Sequence, residues 1–208
     1  MHDRRIDGKT YTFGNASTLF MSAMTWYDHQ TNSIWSQPWG RAIRGPLKGI
    51  QLFLLPSQVT TWDNWRTAHP NTLVMTNDIN LMPNLRHKFR PDFVIGVIYE
   101  SQARAYPYEL ATAETLIQDT LGDTPILIWA ANNDFRAYIR RLPDQILTFQ
   151  LKDDMLIDEQ TNTTWDPIRG LAISGPLTGQ VLATLPTITA FADHWTDFYP
   201  NGEIYSAP

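Results

Sequence analysis

A chain of 208 residues with 43% hydrophobic and 18% charged side chains can bury a core of ordinary size, which excludes the disordered class. The formal net charge of −5 offers no basic surface for nucleic acid or anionic membrane, and no apolar run reaches the roughly 18–20 residues of a membrane-spanning helix. With no cysteine in the sequence, disulfides, zinc thiolates and thiol nucleophiles are excluded from these residues, and Met1-His2-Asp3-Arg4-Arg5 lacks the apolar stretch of a secretory signal.

Taken in chain order, 1–14 has hairpin character, and 14–27 reads as a loop that begins polar and ends apolar. Asp28 to Asn32 is turn chemistry, since Asp bonds nearby backbone amides and Asn tolerates left-handed angles. Strands over 42–44 and 50–55 flank Gly45-Pro46-Leu47-Lys48-Gly49, a composition suited to a tight reversal. A short helix is predicted over 60–68, closed by His69-Pro70. The stretch 75–91, rich in Asn, Pro and charge, reads as a linker. A hairpin follows over 93–106. A helix is predicted over 111–121, with Leu116, Ile117 and Leu121 on one stripe and Gly122 as its stop. A buried strand is expected over 125–130, then a hairpin pairing 135–142 with 146–150.

Self-similarity organises these elements. Asp28, Gln30, Thr31, Asn32 and Trp35 recur as Asp158, Gln160, Thr161, Asn162 and Trp165. The same displacement carries Gly45-Pro46-Leu47 to Gly175-Pro176-Leu177, Leu55-Pro56 to Leu185-Pro186, and Trp65 to Trp195. Between 28–75 and 158–205 there are 19 identities in 48 ungapped positions, against about 3 for unrelated chains. The fold class is therefore α+β, strand-dominated, with two diverged repeats of one β-rich module. The expected organisation is a first repeat over 1–75, a linker over 76–92 and a complete second repeat over 93–208. The first repeat reads as N-terminally incomplete, without a leading hairpin, helix and strand; 1–14 matches 135–150 only in hairpin character.

Asp7 to Gly14, Met24 to Asp28, Ser33 to Gln37, Gly45 to Gly49, Trp65 to Leu73, and Phe93 to Val97 with Ala103 to Pro107 together resemble the bacterial domain-of-unknown-function family 3179. The resemblance covers nearly the whole chain. It implies a two-half β-rich protein, often exported or membrane-tethered in its full-length relatives, and no established activity. It also implies a Cys-Pro-x-Cys segment just before the strand equivalent to 3–14, a place that here precedes Met1; the corresponding stretch 129–133 holds no cysteine.

Each repeat acts as a control for the other. What both keep belongs to the fold; what only one carries marks where function was added or lost. The largest difference follows Phe13, with 14 residues before Asp28 against eight between Phe149 and Asp158. A long loop on a rigid sheet favours binding, so Asn15, Ser17 and Ser22 are ligand-binding candidates. Trp26, Gln37, Trp39 and Arg41 complete an aromatic cleft with directed polar groups. Met21, Met24 and His29 offer thioether and imidazole donors suited to copper as Cu(I), weighed against methionine as core filler. His29 beside Asp28 makes a poor catalytic dyad, because neighbours on a strand point to opposite faces. Ser17 or Ser22 as nucleophile lacks a Gly-x-Ser-x-Gly elbow. The reading is a binding protein with a small-ligand or metal-ion site on the first repeat. The alternative is a redox or metal-dependent enzyme whose Cys-containing segment is missing from or replaced in this chain; a structural, partner-binding scaffold comes third.

Overall fold

The computed structural model describes residues 1–57, 59–74 and 93–207; the expected linker at 76–92 lies outside the described residues. The architecture is α+β and strand-dominated, with three short helices among the described residues. Its two most similar parts are four-stranded antiparallel meanders. The first runs through Phe13–Phe20, Ala23–Asp28, Ile34–Ser36 and Arg41–Arg44. The second runs through Phe149–Lys152, Met155–Asp158, Thr164–Asp166 and Leu171–Ser174.

One device built from the repeated residues fixes each meander. Asp28 is fully buried and accepts hydrogen bonds from Trp35 Nε1 at 2.9 Å, Thr31 N at 2.5 Å and Thr31 Oγ1 at 2.8 Å. Asp158 likewise accepts from Trp165 Nε1 at 2.9 Å and Thr161 N at 2.6 Å. Asn32 and Asn162 close the turns at left-handed φ of 55° and 56°. A buried indole carries an N–H that must find an acceptor, and the turn supplies one at the place where the tryptophan enters the core. Both strands slip register beside that tryptophan, between Ile34 and Trp35 and between Thr164 and Trp165.

Two further four-stranded sheets complete the second half. One orders Ala183–Thr184, Asp134–Ile139, Thr124–Ala131 and Leu116–Leu121, all antiparallel. The other orders Thr187–Phe191, Phe93–Tyr99, Gln102–Pro107 and Glu203–Ile204, the last pair parallel. The strand Phe93–Tyr99 is buried on both faces, which explains its unbroken apolar run. Gly96 is needed there because a Cβ would sit 2.2 Å from the ring of Trp195.

Three expectations are corrected. The strand expected over 50–55 is reduced to isolated bridges, Gln51 with Arg41 and Leu54 with His2. The predicted helix over 111–121 is helix only at Tyr108–Glu114; Leu116–Leu121 is a strand, and Gly122 turns it into Thr124–Ala131 instead of capping a helix. Six cross-strand pairs with a buried neighbour outweigh the helical spacing of Leu116, Ile117 and Leu121. The predicted hairpin over 135–150 is divided in three. Asp134–Ile139 pairs with Thr124–Ala131, Arg141–Leu142 pairs with Gln145–Ile146, and Phe149–Lys152 begins the second meander. The expected helix near 60–68 is present as Trp62–Ala68, capped by Thr61 Oγ1, which accepts from Asn64 N at 3.2 Å.

Buried polar groups join the halves. Arg136 pairs with Asp134 at 3% and 1% side-chain exposure and donates through Nε to Ile168 O at 3.0 Å. Thr60 of the first half donates to Asp134 Oδ2 at 2.8 Å, and Thr187 Oγ1 donates to Ser57 O at 3.3 Å. Ser57 and Thr187 are equivalent positions of the two repeats, so the halves meet there through corresponding segments.

A candidate functional site between the repeats

Backbone hydrogen bonds extend the repeat to the first residue, beyond the reach of sequence identity. Thr12 N donates to Gln30 Oε1 at 3.1 Å as Thr148 N does to Gln160 Oε1 at 2.8 Å. Tyr11 N bonds Arg4 O as Leu147 N bonds Arg140 O, and Leu55 N bonds Met1 O as Leu185 N bonds Ala137 O. Met1, His2 and Asp3 therefore correspond to Ala137, Tyr138 and Ile139. The His2 ring lies over Gly40, where a Cβ would be 2.3 Å from Nδ1, just as Tyr138 lies over Gly170. Each ring reaches for an equivalent carbonyl: His2 Nε2 is 2.9 Å from Gln37 O, and Tyr138 OH donates to Pro167 O at 2.9 Å.

Beside His2 opens a cleft of ≈ 830 Å³ between the first meander and the strand and helix Thr187–Phe191 and Ala192–Phe198. Phe13, Trp26, Met24, Ile188, Phe191 and Phe198 give it a predominantly apolar wall. Trp26 meets His2 edge-on at 5.9 Å and Phe13 at 6.0 Å. Polar groups reach it from His2, Ser22, Gln37 and His194. His2 Nε2 must carry its proton to bond a carbonyl, which leaves Nδ1 an acceptor. That atom is buried and has no partner among the described residues. Burial pushes the His2 pKa down, and the bond to Gln37 O opposes the shift.

The residues singled out in the sequence divide into two groups. Ser22, Trp26, Gln37, Met21 and Met24 all line the cleft. Asn15, Ser17, Trp39, Arg41 and His29 do not. The stretch after Phe13 is not a loop but a longer hairpin: Phe13–Phe20 pairs with Ala23–Asp28 through a two-residue turn at Met21 and Ser22, φ 50° and 61°. Asn15 and Ser17 lie in a bulge of that hairpin, where Asn15 Oδ1 accepts from Ser17 N at 2.8 Å. Trp39 anchors the two repeats, donating to Phe198 O at 2.6 Å with its ring edge-on to Phe198 at 5.5 Å. Arg41 is exposed on the outer strand of the meander. His29 stacks on Tyr27 at 5.0 Å. It lies five residues beyond Met24 along an extended chain, about 16 Å by strand rise, so the three soft donors do not converge. Among the described residues no three His, Asp or Glu side chains gather to hold a metal ion.

The cleft also uses residues that the comparison of repeats did not single out. His2, Ile188, His194 and Phe198 come from opposite ends of the chain, and their meeting depends on how the halves dock. No spacing in the sequence carries that information.

The family model for "Protein of unknown function (DUF3179)" matches residues 1–88 and again 84–208, and the chain belongs to this family. The double match agrees with the two parts seen in the strands. No curated protein and no solved structure matches the chain. No helix among the described residues is long and apolar enough to cross a membrane.

Proposed function

We propose that this is a binding protein whose site is the cleft beside His2, taking a mainly apolar ligand with a few polar contacts at the rim. The observation that carries the reading is the cleft itself, open, walled by aromatic and aliphatic side chains, and within the about 300–1,000 Å³ typical of ligand sites. Met21 and Met24 serve it as adaptable apolar surface, a use to which methionine is suited. Trp26 offers a flat face and a built-in reporter. A metal ion is the weaker version of the binding reading, because His29 stands apart from the methionines.

The test is titration with 1-anilinonaphthalene-8-sulfonate, an apolar anionic dye, followed through its own emission and through tryptophan quenching. Saturable one-to-one binding is expected. Met24→Glu, which places a charge of the dye's own sign on the apolar wall, should weaken it tenfold or more, while Leu151→Glu on the second meander should leave it unchanged. Binding that is non-saturable, or equally affected by both substitutions, would overturn the assignment.

A further inference from the structure

A second open space, of ≈ 460 Å³, lies between the second meander and the helix Trp62–Ala68. Its size falls within the about 300–1,000 Å³ of ligand sites. The floor comes from the inner strand Thr124–Ala131, through Trp129, and from the turn at Asn132 that follows it. Met155, Ile168 and Ile173 form an apolar side, while Asn64, Asp154 and Asp166 bring polar groups. No residue lines both this space and the cleft beside His2.

One buried group points to what fills it. Trp129 is only 6% exposed, yet its indole N–H has no hydrogen-bond partner among the described residues. The indole of Trp195 is also unpaired, but its nitrogen is sealed from solvent, whereas that of Trp129 is not. Trp129 lines the space, so its N–H opens there. Water can serve that donor, and a ligand that displaces the water has to supply an acceptor in its place.

The surroundings identify the acceptor. Asp154 sits exposed in a turn at φ 60° and makes no bond within the described residues. Asp166 Oδ1 accepts from Ile168 N at 2.8 Å and Arg169 N at 3.2 Å, and its Oδ2 lies 3.6 Å from Arg169 Nε. An anionic ligand group would satisfy the indole but would meet two carboxylates. An ammonium group would satisfy the carboxylates but has no lone pair for the indole. A hydroxyl does both, accepting through its lone pairs and donating its one proton. The amides of Asn64 and Asn132 donate and accept in the same way.

We propose that this space is a second binding site, for a neutral saccharide. Its hydroxyls accept from Trp129 Nε1 and donate to Asp154, and the C–H face of the ring lies on Met155 and Ile168. The proposal stands independently of the ligand of the cleft beside His2. The constant displacement also explains why the two spaces differ, since Phe198 and His194 line the first where Ala68 and Asn64 line the second.

The test is calorimetry and saturation-transfer NMR on the intact protein with maltotriose, cellotriose and triacetylchitotriose. Saturable one-to-one binding of at least one of them is expected, with a shift of the Trp129 indole N–H resonance. Three substitutions should each weaken it tenfold or more and leave the naphthalene dye unaffected. Trp129→Phe keeps an aromatic ring in the core and removes the N–H. Asp154→Gly removes the carboxylate at a φ that glycine accepts, and Ala68→Phe copies Phe198 into the space. Absence of binding by all three sugars, binding unchanged in the Asp154 and Ala68 variants, or displacement of the dye by sugar would overturn the proposal. Inorganic phosphate or methylammonium binding in place of the sugars, with the same dependence on these residues, would overturn it in favour of a charged ligand.

Discussion

Replacing Asp28 by alanine should be among the most damaging single changes in the first repeat, and replacing Asp158 should cost the same. The carboxylate of Asp28 receives three donors, and truncation affects them unequally. Thr31 Oγ1 can turn to Ser33 Oγ at 2.7 Å, as Thr161 Oγ1 can to Thr163 Oγ1 at 2.7 Å. The indole N–H of the fully buried Trp35 has no second acceptor among the described residues. An orphaned buried donor costs about 1–3 kcal/mol, and a hydrogen bond to a charged group contributes about 1.5–3 kcal/mol, so about 3–5 kcal/mol is expected per repeat. With a urea dependence of about 2 kcal/mol per molar, the midpoint falls by about 1.5–2.5 M. Asp28→Asn keeps an acceptor for the indole and should cost only about 1–2 kcal/mol. The pH dependence has a definite sign. Burial opposes ionisation of Asp28, but the bonds from Trp35 and Thr31 outweigh it and hold the pKa below the ordinary value. Its contribution is therefore complete above about pH 4, the ordinary aspartate range, and is lost as pH falls through the lower folded value. The assay is equilibrium urea unfolding of the three variants between pH 3 and 7. Shifts below about 1 kcal/mol for both alanine variants, or an asparagine variant as unstable as the alanine one, would show that the carboxylate does not hold the buried indole in place.

The other expectations concern His2 and the buried Asp134–Arg136 pair. His2 titrates at a lowered pKa in the folded protein, so its stabilising contribution is present above about pH 6.5, the unfolded value, and declines as pH falls below it. His2→Tyr reproduces the residue found at Tyr138 and should flatten that part of the stability profile; an unchanged profile would assign the slope to other groups. Asp134→Ala leaves Arg136 buried without its carboxylate and should cost about 3–5 kcal/mol in thermal or urea unfolding. Asp134→Leu combined with Arg136→Met should recover most of that loss, and failure of the double variant to recover would show that Thr60 and Ile168 need the ions themselves.

Local chemistry made the meanders legible from sequence. Asp28 to Asn32 and Trp35 form a single interaction unit spanning eight residues, so its repetition at Asp158 to Trp165 announces a repeated structure. The run Phe93–Tyr99 was legible for a similar reason, since only burial on both faces tolerates such a stretch. Leu116 to Leu121 misled because its spacing suits a helix stripe, while its conformation is set by pairing with Thr124–Ala131. The insertion after Phe13 was visible as six additional residues, but its form as a lengthened hairpin depended on the turn at Met21 and Ser22.

Five of the ten candidate residues line the cleft, and the division among them has a physical cause. Alternation along a strand decides which side chains face inward, whereas docking decides what they face. The repeat, the strand-dominated class and the residues of the shared Asp–Trp device are written in local chemistry along the chain. Docking of the halves is what puts His2 in the place of Tyr138, makes Trp39 an anchor rather than a cleft residue, and closes the site with Thr187–Phe191 and Phe198. Those facts depend on contacts between residues as much as 159 positions apart, such as Trp39 with Phe198, and such contacts leave no periodicity in the chain.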